Sequence, residues 1–200
     1  MSSHSESSAV APLDLSKWRN LPNLLIGIGG LLALIGAFAN TKQFGYSWLL
    51  ACMFFLSICL GSLFLVILHH LFDAMWTVPI RRFVEHLACL VFPLFFLFIP
   101  ILILAPTIYP WWTVDPHGDH ALHAKEAFLN KPLWIVRVFV LFGIWTWLSF
   151  SLRKWSLKQD ETGAAECTFK MRKYAAGGVF LFAFTLIHFI VHWIERNNRL

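Results

Sequence analysis

The chain has 200 residues, of which 58% are hydrophobic and only 14% charged, with a formal net charge of +5 and a mean hydropathy of +0.65. That is too apolar for an ordinary soluble domain and points to an integral membrane protein. The twenty Phe and ten Trp suit lipid-facing and interfacial surfaces, and the basic residues gather in short links, so nucleic-acid binding is a poor explanation of the charge.

Residues 1–20 open on a Ser-rich polar stretch with few large apolar groups and are expected to form a disordered tail. Helices are expected near 21–39, 47–69, 84–108, 133–153 and 174–194, each long enough to cross a hydrocarbon core of about 30 Å, with a short tail at 196–200. The expected fold is therefore an all-α integral membrane protein, a single bundle of about five transmembrane helices over 21–195. In the first helix Ala37-Phe38-Ala39 resembles a signal-peptide cleavage site. Gly29, Ala33 and Ala37 at successive i+4 positions read instead as a small-residue ridge for close packing in lipid.

The third helix carries Pro93, Pro100 and Pro106, each lacking a backbone donor, and kinks are expected there. The link that follows holds Asp115, His117, Asp119, His120 and His123. The three-residue spacing of the histidines would align them on a helix as metal ligands, yet a solvated loop is the simpler reading, and no metal is assigned. Arg137 is the one charge in the fourth helix and either snorkels to the surface or faces inward toward a buried acid or a quinone oxygen. Arg153 to Lys173 reads as a basic loop with a turn at Asp160-Glu161-Thr162-Gly163. Basic residues concentrate in the tail, the second link and this fourth link, so the positive-inside bias places the N-terminus in the cytoplasm. Cys52, Cys59, Cys89 and Cys167 show no C-x-x-C pairing and read as small hydrophobes.

Chemistry concentrates between the second and third helices, where His69, His70, Asp73, Arg81, Arg82, Glu85 and His86 crowd into a short charged junction. Ionisable groups at such a place mark ion, proton or headgroup sites. Three classes of function fit these residues. A redox-enzyme membrane subunit would use them as quinone or proton-path groups, because a quinone needs an apolar slot ending in hydrogen-bonding side chains. A haem b cytochrome would hold haem between histidines at one depth, with His188 and His192 as one candidate pair and the junction histidines as the other. A packing subunit would use the charges only as anchors.

The run Leu68 to Glu85, the proline-rich third helix ending in Tyr109-Pro110-Trp111, the segment His123 to Asn130 and the stretch Ser156-Leu157-Lys158-Gln159-Asp160 together resemble one bacterial family. It is the NrfD-like (ActF-type) second quinone-binding membrane subunit of alternative complex III, the quinol:cytochrome c oxidoreductase. The likeness runs over residues 47–185 and is to the N-terminal half of that family's chain, the first of its two helical bundles. It implies a multi-pass subunit of the bacterial inner (cytoplasmic) membrane that contributes quinone contacts, a proton route or scaffolding. Quinol would be the substrate, the other subunits of the respiratory complex and the lipid bilayer the partners. Haem c and iron–sulfur clusters would belong to partner subunits, with no cofactor bound by this chain.

Overall fold

The computed structural model describes residues 19–73, 75–109, 112 and 131–197, except for the side chains of residues 75 and 191–197. Its elements are α1 (Leu21–Ala39), α2 (Thr41–Phe72), a 3₁₀ turn (Met75–Ile80), α3 (Arg81–Cys89), α4 (Val91–Ile103), α5 (Ala105–Ile108), α6 (Lys131–Thr162) and α7 (Ala165–Asn197). Five helical stretches, Leu21–Ala39, Thr41–Phe72, Trp76–Ile103, Lys131–Thr162 and Ala165–Ile190, are long and apolar enough to cross a membrane. The all-helical expectation therefore holds among the described residues, and the five long apolar helices agree with a multi-pass membrane protein. The chain divides into two units between Phe44 and Gly45.

In the first unit, Pro22 occupies the opening turn of α1, where a missing backbone donor does no harm. Asn40 leaves the helix in an extended conformation with its backbone N–H still on the Gly36 carbonyl. Its side-chain oxygen accepts from the Gln43 backbone N–H at 3.1 Å, so one residue ends α1 and caps the next helix.

In the second unit the core runs through Leu56, Leu63 and Ile67 of α2, Val91 and Ile101 of α4, and Trp145, Leu148 and Leu152 of α6, all essentially inaccessible. The third crossing is broken at the prolines, as their chemistry dictates. α3 gives way to α4 at Leu90, just before Pro93, and α4 to α5 at Leu104, just before Pro106, whereas the helix runs on through Pro100. Side chains of α2 bond to this irregular backbone: Trp48 Nε1 donates to the Leu97 carbonyl at 2.8 Å and the Tyr46 hydroxyl to the Ile108 carbonyl at 3.1 Å. Gly45 permits the approach, because a Cβ there would lie 2.9 Å from Ile108 Cγ1.

The stretch 153–173, expected as a loop, is helical. α6 and α7 run on past their apolar segments as two arms and reverse at Gly163, whose φ of 62° is the left-handed conformation that favours glycine at a helix end. With 32 residues, α6 is about 48 Å long at 1.5 Å per residue, well beyond a bilayer core of about 30 Å. The arms hold each other through Gln159 Nε2 donating to Thr168 Oγ1 at 2.6 Å. Deeper in the bundle, Trp145 Nε1 donates to Thr185 Oγ1 at 3.0 Å. The Gln159–Thr168 bond helps hold the polar segment helical where hydropathy alone ends the helix.

Candidate functional site

Three residues of α3 meet two of α6 in a polar cluster whose centre, Glu85 and Ser156, is buried and whose outer member, Asp160, is exposed. Positions 81, 82 and 85 share one helical face, which turns Arg81 and Arg82 onto Glu85. Arg81 Nε lies 3.2 Å from Glu85 Oε1 and Arg82 Nη1 2.6 Å from Oε2, so each carboxylate oxygen has its own guanidinium. Ser156 Oγ donates to Glu85 Oε1 at 2.5 Å and accepts from Arg81 Nη2 at 2.7 Å. One turn farther along α6, Asp160 accepts from Arg81 Nη2 at 3.2 Å and pairs with Arg82 as well. Glu85 is 2% exposed and Ser156 fully buried.

Two arginines and two carboxylates make the cluster formally neutral. A charge out of water carries a desolvation cost of several kcal/mol unless its partners are well placed, and here Glu85 has three donors on two oxygens. Such a cluster can hold α3 against α6. It can also pass a proton along hydrogen bonds if one member changes its protonation state.

The remaining junction residues are arranged around it. His86 Nδ1 donates to the Arg82 carbonyl at 2.6 Å while Nε2 faces Arg153 Nη2 at 2.9 Å. A carbonyl only accepts and a guanidinium only donates, so this geometry fits a neutral ring protonated at Nδ1. His69 Nδ1 is 2.5 Å from Thr77 Oγ1, and its ring lies edge-on to that of His70 at 4.9 Å. His70 is buried, and its Nε2 has no hydrogen-bond partner among the described residues. A cavity of about 10 Å³ lies among Leu65, Val66, His69, Thr77, Arg81 and Val84, between His69 and Arg81. Asp73 closes α2 with a φ of 48° and pairs with Arg172 of α7.

The structure thus brings Arg81, Arg82 and Glu85 together directly, sets His86 beside them through Arg82, and places His69 across the small cavity from Arg81, with His70 against the His69 ring. Asp73 is tied to α7 instead. Arg137 is half-buried on α6, nineteen residues before Ser156 and so about 28 Å away along the helix, outside the cluster. His188 stacks on Phe184 at 6.5 Å. Its neighbour Phe189 meets Trp145, eight residues or about 12 Å along α6 from Arg153, the partner of His86. The His192 side chain and His117, His120 and His123 lie outside the described residues. Among the described residues no group of three or more His, Cys, Asp or Glu could hold a metal ion.

No protein-family model matches the chain, and no curated protein is similar to it in sequence.

Ser156 and Asp160 were not among the residues expected at the site, nor were Arg153 and Arg172. Their signal was the i, i+4 spacing of Ser156 and Asp160, legible only if the fourth helix continues past residue 153. A second feature is an apolar groove of about 400 Å³ between Met53–Phe64 of α2 and Phe182–Ile190 of α7. Phe64 and Phe182 stack across it at 5.8 Å. Its α2 end stops five residues short of His69, about 8 Å along the helix.

Proposed function

We propose that the chain is a membrane subunit of a bacterial respiratory quinol:cytochrome c oxidoreductase of the alternative complex III type, the family its junction sequence resembles. It lies in the inner membrane with its N-terminus in the cytoplasm, contributes quinone contacts and a proton route, and takes its electron carriers from haem c and iron–sulfur partner subunits. The observation that carries this reading is Glu85, a carboxylate buried between two arginines and a serine at the end of the spanning helices. His69 and Thr77 share a small cavity with Arg81, one of the two arginines on Glu85, and His70 Nε2 is a buried polar atom with no hydrogen-bond partner among the described residues. The α2–α7 groove offers an apolar bed for an isoprenoid tail.

A second reading is favoured by the neutrality of the same cluster: a packing subunit in which the ions only fasten α3 to α6. Quinol turnover of the assembled complex separates the two. With a proton moving through Glu85, Glu85→Gln lowers turnover more than tenfold, about 1.4 kcal/mol of barrier or more. Normal assembly with unchanged turnover would leave the packing role in its place.

A further inference from the structure

Arg81 and Arg82 each serve two carboxylates. Arg81 gives its Nε to Glu85 Oε1 and its Nη2 to Asp160 Oδ1, both at 3.2 Å, while Arg82 gives Nη1 to Glu85 Oε2 at 2.6 Å and Nη2 to Asp160 Oδ2. Glu85 and Asp160 therefore lie against the same pair of guanidinium groups, and they differ in setting: Glu85 is buried, whereas the Asp160 side chain is 53% exposed. The arginines have a further anchor in the Ser156 backbone carbonyl, which accepts from Arg81 Nη2 at 3.5 Å and from Arg82 Nη2 at 3.3 Å. Both guanidinium groups thus keep a contact with α6 whichever carboxylate is neutral.

The helix that carries Asp160 also takes it away from the bilayer. Val138 to Leu152 holds no charge, and Asp160, farther along the same straight run, is about 12 Å beyond Leu152 at 1.5 Å per residue. A headgroup layer is about 5–8 Å deep on each side of the hydrocarbon core, so on the membrane-spanning reading Asp160 stands past it, in water. Ser156 sits one turn lower on the same face of α6 and bonds to Glu85. Its hydroxyl can take a proton on oxygen while giving up its own. A proton on Glu85 leaves both guanidinium groups to Asp160, and a proton on Asp160 leaves them to Glu85. Two cations face one anion in either state, so moving the proton from the buried carboxylate to the exposed one leaves the net charge of the cluster unchanged and avoids the cost of an unpaired buried charge.

We propose that Asp160 is the water-side end of the proton route, receiving from Glu85 by way of Ser156 the proton that quinol gives up and releasing it to the aqueous phase on the hairpin's side. In balance, a quinol O–H bond breaks, its proton passes to a Glu85 carboxylate oxygen, and its electrons go to the haem c and iron–sulfur carriers of the partner subunits. Glu85 then loses the proton outward to Asp160, Asp160 loses it to water, and both return to carboxylates. This assignment deepens the quinol-oxidoreductase reading and rests on it.

Steady-state turnover of the assembled complex tests it, with decylubiquinol and menadiol in turn as reductant, cytochrome c as acceptor, and rates expressed per haem c so that only assembled protein counts. Asp160→Asn keeps an oxygen for the arginines but cannot carry the proton, and it lowers kcat at least about tenfold with KM nearly unchanged. Asp160→Gln serves where the Asn variant assembles poorly. Asp160→Glu restores most of the rate. Added formate, a small weak acid, raises the Asp160→Asn rate at least about threefold, whereas formamide, which has the same size and carries no acidic proton, does not. Glu161→Gln, on the exposed turn beside it, leaves the rate as it is. Wild-type kcat in Asp160→Asn while Glu85→Gln is slow would overturn the assignment. So would a slow Asp160→Asn that formate and formamide leave equally slow, since a residue that only fastens α3 to α6 behaves in that way. Wild-type turnover in Glu85→Gln, or no quinol turnover by the wild-type complex, would instead overturn the reading beneath it.

Discussion

Ser156 of α6 donates a hydrogen bond from its hydroxyl to Glu85 of α3 at 2.5 Å, across 71 residues of sequence. The bond joins a fully buried serine to a carboxylate that two guanidinium groups already hold. Ser156→Ala takes away one donor and leaves the arginines, so a loss of about 1–3 kcal/mol is expected. Glu85→Gln leaves two guanidinium groups facing a neutral amide and costs more, about 3–5 kcal/mol. Arg81→Gln combined with Glu85→Gln removes one charge of each sign and recovers part of that loss. Thermal unfolding in detergent, followed by helical circular dichroism, ranks the three; identical midpoints would show the cluster to be energetically idle.

Asp73 pairs with Arg172 in a different setting, since Asp73 is exposed and Arg172 partly so. Asp73→Asn should cost less than about 1 kcal/mol and lose that effect in high salt. The positive φ of Asp73 adds a separate expectation: glycine adopts that conformation without strain, so Asp73→Gly is more stable than Asp73→Ala. The reverse order in the same melts would remove backbone conformation from the account.

Much of the fold is legible in the sequence because lipid imposes long uncharged runs, and the breaks at Leu90 and Leu104 follow from Pro93 and Pro106. Hydropathy fails beyond Leu152, where Lys154, Lys158 and Gln159 look like loop residues although their backbone stays helical through contacts between the arms. The same failure hides half of the site. Arg81, Arg82 and Glu85 stand out as charges next to a membrane segment, whereas Ser156 looks like a surface residue until α6 is extended far enough to face them. Histidines offered no comparable signal: His69, His86 and His188 are alike in sequence, and only their partners Thr77, Arg153 and Phe184 tell them apart.

The proposed orientation, with the N-terminus in the cytoplasm, would put the α6–α7 turn in the cytoplasm too. The four native cysteines are buried and free, so an engineered thiol on that turn reads the topology with little background. Glu161→Cys should resist a membrane-impermeant maleimide in intact cells and react once they are opened. Labelling of intact cells would reverse the orientation and set the basic hairpin outside.

The chain purified alone should be colourless, inactive toward quinol, and associated with haem c and iron–sulfur proteins when tagged in its native host. The geometry supplies the argument. Cys52 and Cys59 lie on α2, Cys89 on α3 and Cys167 on α7, each buried, and no group of metal-binding side chains forms among the described residues. An iron–sulfur cluster needs several thiolates in one place. Among the histidines, His69 is engaged by Thr77 and His86 by Arg153 and a backbone carbonyl, while His188 stacks on Phe184 about a dozen ångströms farther along the bundle. Two axial ligands of one haem must face each other at one depth, whereas His188 lies at a different depth from the junction histidines, and a pair among the junction histidines would have to break the bonds to Thr77 or Arg153. An absorption spectrum of the isolated chain decides the matter. A stoichiometric Soret band that shifts on reduction, and that disappears with His69→Ala or His86→Ala or with His188→Ala or His192→Ala, would make the protein a haem b cytochrome and withdraw the quinol-oxidoreductase reading.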